Sequence, residues 1–138
     1  MNWRLVTLLS DFGFVMGALA VLGLTVGVEW VLWLLFWVVA SFVLAKKVGE
    51  QLFQHAFAVG LLSAIFSSIL TVIFFDRWAI NYPEIYDVPL NPKLYLILVS
   101  LFIGAASGAI LGGLTLLNRK LLNISPGKPA GKGKRAKK

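Results

Sequence analysis

Two side chains in this sequence could carry proton chemistry from within an apolar setting, Asp11 and His55. Asp11 interrupts the hydrophobic run that opens at Leu5, and His55 stands near the start of the run that opens at Leu52. A carboxylate at the centre of a membrane helix costs about 2.5–3.5 kcal/mol, so a residue of this kind is a functional candidate by default. If both runs enter from the same side, the two residues lie at comparable depth, and a carboxylate–imidazole pair there would respond to pH. The competing account is structural. Ser10 or Asp11 would be the N-cap of a helix starting at Phe12, with residues 1–9 an interfacial segment anchored by Trp3 and Arg4.

Other reactive groups are scarce. Cysteine is absent, which removes disulfides, thiolate metal sites and thiol nucleophiles, and one histidine offers no metal-ligand spacing. No catalytic residue, cofactor or metal is expected. Gly104-x-x-x-Gly108 lacks the lysine and the strand–loop–helix setting of a phosphate loop. Trp30, Trp33 and Trp37 share one helical face with Phe36 beside it; a lipid-facing aromatic surface is the first reading, stacking on a pigment, quinone or lipid the second. Glu29, at a hairpin between two runs, is expected to be solvated.

The elements that must hold these residues are apolar blocks. Of 138 residues, 59% are hydrophobic and 14% charged, against about 25% charged in soluble domains. Four blocks, 5–28, 30–45, 52–75 and 94–117, approach the roughly 20 residues a spanning helix needs, and in hydrocarbon they must be helices. The expected fold is all-α: one four-helix transmembrane domain over 1–122, followed by a disordered polybasic tail over 123–138. The segment 81–92, with three prolines and two tyrosines, is long for a helix connection and suits docking to an external surface. Ala18-Leu19-Ala20 has the form of a signal cleavage site, but Asp11 breaks the hydrophobic region and the run continues past Ala20, so an uncleaved anchor is expected.

Small residues recur at helical spacing. Gly104, Gly108 and Gly112 fall on one face, where missing side chains let another backbone approach. The third block carries a matching stripe of Ala56, Gly60, Ala64 or Ser63, Ser67 and Thr71, and the first repeats the theme with Gly13 and Gly17, and Gly23 and Gly27. The stripes of the third and fourth blocks are expected to pack on each other; the alternative turns the glycine face outward, to a second copy or a partner subunit.

Charge gives the orientation. Four spans put both termini on one side, which holds Arg4, Lys46, Lys47 and the eight basic residues after Asn118, eleven in all, against Arg77 and Lys93 opposite. The positive-inside rule therefore places the termini in the cytoplasm. The tail's expected partner is the anionic inner leaflet; nucleic acid is not expected, because the tail has no aromatics for base stacking.

Small size, four spans and an acid in the first helix resemble the small multidrug resistance transporters, which work as dimers around a membrane carboxylate. Asp11 lies near the cytoplasmic end, where that family has a glutamate well inside the helix. The chain is also similar in style to the uncharacterised four-helix membrane proteins of bacteria. The functional expectation is a small multi-pass protein of a bacterial inner membrane, not an enzyme, acting as an accessory, assembly or scaffold component through helix packing. A homo-oligomeric transporter or channel using Asp11 is the alternative.

Overall fold

A computed structural model describes residues 1–123. Within them the chain is helical: α1 (Trp3–Ser10), α2 (Phe12–Val21), α3 (Glu29–Lys47), α4 (Leu52–Ile73), α5 (Phe75–Ala79) and α6 (Pro92–Leu121), with a 3-10 turn at Pro83–Asp87. No strand occurs among the described residues. Helices α1 and α2 run on through Asp11 as one apolar rod, so four helices are long and apolar enough to cross a membrane. The tail expected over 123–138 lies, apart from Asn123, outside the described residues.

The ends of the elements follow local chemistry. The first rod starts at Trp3 because the Asn2 side chain accepts from the Leu5 backbone N–H, an N-cap nine residues earlier than the Asp11 alternative. It stops at Val21, short of the expected Val28. Gly23 takes a left-handed φ of 72°, and its Cβ position is occupied by the Asn81 side chain, which turns the chain toward α3. The third block breaks at Phe74 and continues as the short α5. Asn91 caps α6 by accepting from Lys93 and Leu94, with Pro92 preset at the first helical position. At 30 residues, α6 is about 45 Å long and exceeds a bilayer core of about 30 Å.

Helices α4 and α6 form the spine. A Cβ on Gly60 would strike the Gly108 backbone, Gly104 lies against Ala64 and Leu61, and Gly112 against the Phe53 ring. The first rod packs on the other side of α4, with Gly13 against the Ser63 backbone and Gly17 against that of Ser67. Ser67 thus meets the first rod rather than the α6 glycines. Helix α3 joins at its C-terminal half, where Ala40, Leu44 and Val48 enter a core with Val6, Val59 and Leu111. Asn118 donates to the Ser41 hydroxyl at 2.7 Å and Arg119 to the Gly49 carbonyl at 3.0 Å, which fixes that end of α3 to α6. The N-terminal half of α3 stands further off.

Candidate functional site

Two regions place the candidate residues, one at each end of the bundle. At the end holding the N-terminus, His55 is buried on α4. Its Nε2 accepts from the Asn2 backbone N–H at 2.8 Å, and Nδ1 lies 2.9 Å from the Gln51 carbonyl. A neutral imidazole protonated at Nδ1 satisfies both contacts at once. His55 thereby caps the first rod in concert with the Asn2 side chain. Asn2 was the missed residue; its signal was an Asn immediately before an apolar helical run.

Asp11 is elsewhere. Its backbone is helical (φ −59°, ψ −21°), its side chain makes no capping bond, and it is exposed. Among the described residues no hydrogen bond joins it to His55. The packing face of the first rod carries Val6, Ser10, Gly13 and Gly17, with the Ser10 hydroxyl donating to the Val6 carbonyl at 2.8 Å and lying 3.4 Å from that of Val59. Five residues on from Val6, Asp11 points about 140° away from that face. It shares the exposed face with Arg4 and Thr7, then Phe14, Val15 and Ala18.

At the opposite end, the gap between α3 and the α4–α6 spine is a cleft of about 490 Å³. Trp30, Trp33 and Trp37 form its α3 wall, so the aromatic stripe turns toward the bundle rather than wholly outward. The facing floor is hydroxylated: Ser67, Ser68 and Thr71 from α4, Ser100 and Ser107 from α6. Phe12 stacks on Phe36 with centroids 4.2 Å apart and meets Trp33 edge-on at 5.5 Å, which fixes the wall from behind. The Trp37 indole N–H is buried without an acceptor.

Glu29 sits at the mouth, half-buried rather than solvated. Its Oε1 accepts from Thr25 at 3.1 Å and also from the Tyr82 hydroxyl. Burial, then the bond to the Glu29 carboxylate and its negative charge, pushes the Tyr82 phenol well above the ordinary tyrosine range, so Tyr82 stays a donor. Tyr82 stacks on Trp78, centroids 4.7 Å apart, and stands between α5 and the 3-10 turn. Both bonds fall on Oε1, which leaves Oε2 open to another partner.

No protein-family model, curated protein or solved structure matches this chain. Its residues alone carry the functional reading. Among the described residues no cluster of three or more His, Cys, Asp or Glu could hold a metal ion. The sequence offered no route to the Glu29–Tyr82 bond, because the two residues are 53 positions apart.

Proposed function

We propose that this is a small multi-pass protein of a bacterial inner membrane, with cytoplasmic termini, that acts as an accessory or assembly component by docking on a second membrane polypeptide. Insertion is supported by the four long apolar helices and by the large apolar side chains on their outer faces, Leu8, Val39 and Phe102 among them. The orientation rests on eleven basic residues against two. The basic residues after Asn118 add attraction to anionic lipids, at about 1 kcal/mol for each one near the surface.

The observation that carries docking is Asp11. It is an exposed carboxylate eight residues, about 12 Å, into an apolar helical rod, and its short side chain has little reach toward the interface. Leaving it in lipid is costly, whereas a lysine, arginine or amide on a neighbouring span would relieve that cost. The glycines support the same reading indirectly. Gly104, Gly108 and Gly112 are spent on contacts within the chain, so the glycine face is closed to a partner, while the Arg4–Thr7–Asp11 face is exposed. His55, bonded at both ring nitrogens to the backbone, reads as a structural residue and not as an acid–base catalyst.

Purification from native membranes in mild detergent tests this. The wild type is expected to carry a foreign subunit in fixed ratio, and Asp11→Ala to lose it while keeping its helicity. A wild type that purifies alone as a monomer, or an Asp11→Ala variant that keeps its partner, refutes the proposal. The Asp11 face is equally open to a second copy of the chain, which favours the homo-oligomeric transporter as second reading. A homo-oligomer dissociated by the same substitution would select it.

A further inference from the structure

We infer that the cleft between α3 and the α4–α6 spine holds the head group of a zwitterionic phospholipid, its ammonium on Glu29 and its acyl chains leaving sideways past α3. The inference uses the membrane reading but not the docking partner.

Three features of the cleft define the ligand. Its mouth carries a carboxylate whose Oε1 is fixed by Thr25 and Tyr82 and whose Oε2 is open, beside Trp30, Trp33 and Trp78. An oriented carboxylate among aromatic side chains suits an organic ammonium group, attracted by charge and able to lie against the rings. An anion would be repelled there.

Its depth is polar on one side. Ser67, Ser100 and Ser107 line the floor. Their hydroxyls can donate to oxygen acceptors carried in by a ligand. Glu29 and Trp37 are eight residues apart on α3, about 12 Å along the axis. A ligand that fits must therefore be cationic at the mouth and bear oxygen acceptors deeper in. The phosphate and ester oxygens of a phospholipid follow its ammonium in that order.

The rim is apolar and open. Leu34 and Ile103 border the cleft and are exposed, so chains attached to a head group inside can pass between α3 and α6 into surrounding lipid. A soluble amine would gain nothing from that opening. The cavity volume lies in the range of small-ligand sites.

The test is lipid retention, read by native mass spectrometry of the full chain released from nanodiscs of phosphatidylethanolamine, phosphatidylcholine and phosphatidylglycerol in equal parts. The wild type is expected to keep one zwitterionic lipid with about tenfold preference over phosphatidylglycerol. Glu29→Gln keeps an oxygen acceptor for Thr25 and Tyr82 but removes the charge, and should abolish the preference. Ser100→Leu fills the floor and should lose the bound lipid while helicity is unchanged. Equal retention of phosphatidylglycerol by wild type and Glu29→Gln overturns the inference. So does displacement of the lipid by glycerophosphoethanolamine, the head group without chains, at comparable concentration. Failure of the chain to fractionate with membranes would instead sink the membrane reading, and is scored separately.

Discussion

Replacing Gly108 by alanine adds one methyl group at the closest approach of the two longest helices. The new Cβ would lie 2.6 Å from the Phe57 carbonyl oxygen and 3.0 Å from the Phe57 Cα, where ordinary contact begins at 3.4 Å. Both atoms are backbone and cannot swing aside, so α4 and α6 must part by the difference, 3.4 − 2.6, or 0.8 Å. A gap of that size forfeits roughly a quarter to a half of each dispersion contact. On the order of 20 carbon pairs along the seam, each worth ~0.15 kcal/mol and losing a third, come to about 1 kcal/mol. Overpacking penalties of about 1–3 kcal/mol bracket this value. In lipid no hydrophobic term compensates, because packing itself holds the helices together. The assay is titration from mild detergent into sodium dodecyl sulfate, followed by loss of helicity. Gly113→Ala is the internal control, since nothing lies within 4 Å of its Cβ position. Gly108→Ala within about 0.5 kcal/mol of the wild type, or Gly113→Ala costing as much, would refute the packing account.

His55→Phe should cost about 1–2 kcal/mol by stranding the Asn2 N–H. Amide exchange of the first turn of α1 should quicken, while Asp11→Asn leaves it unchanged. The Tyr82 phenol should ionise above the free value of about 10, read from tyrosinate absorbance. Because its folded form holds the proton more tightly, its contribution to stability is complete below about 10 and fades as pH rises toward the raised folded value. Tyr82→Phe should remove that alkaline fade and keep the Trp78 stack. Because the chain lacks cysteine, single-cysteine labelling reads topology cleanly. Glu84→Cys should react with an impermeant maleimide from outside, and Lys47→Cys only after permeabilisation; the reverse pattern would invert the proposed orientation.

Much of the helical frame was legible from composition. Long runs with almost no charge leave helix as the economical way to satisfy the backbone, and the basic residues and prolines between them punctuate the chain. The spacing of Gly104, Gly108 and Gly112 likewise announced a close helix contact, since a run of missing side chains on one face has few other uses. Helix ends were less legible. The early stop at Val21 depends on Asn81 filling the space over Gly23, a contact across almost 60 positions that no local pattern encodes.

The partners of the polar groups were decided by tertiary structure alone. Depth and rotation are the two helical coordinates, and the depth match that sequence spacing implied does not hold: His55 meets Asn2, nine residues or about 13 Å along the rod from Asp11. Rotation differs too, since those nine residues make two and a half turns, which put Asp11 on the far side of the rod from the residue that meets His55. The same holds for the tryptophan stripe. Its periodicity on α3 was plain, but whether it faced lipid or the bundle depended on how α3 leans from the spine, pinned at one end by Asn118 and Arg119 and open at the other. Sequence determined which stretches are helical and apolar, because those properties are local sums over neighbouring residues. Tertiary structure determined what Glu29, His55 and Trp37 meet, because rotation and tilt are set by contacts between residues far apart in the chain.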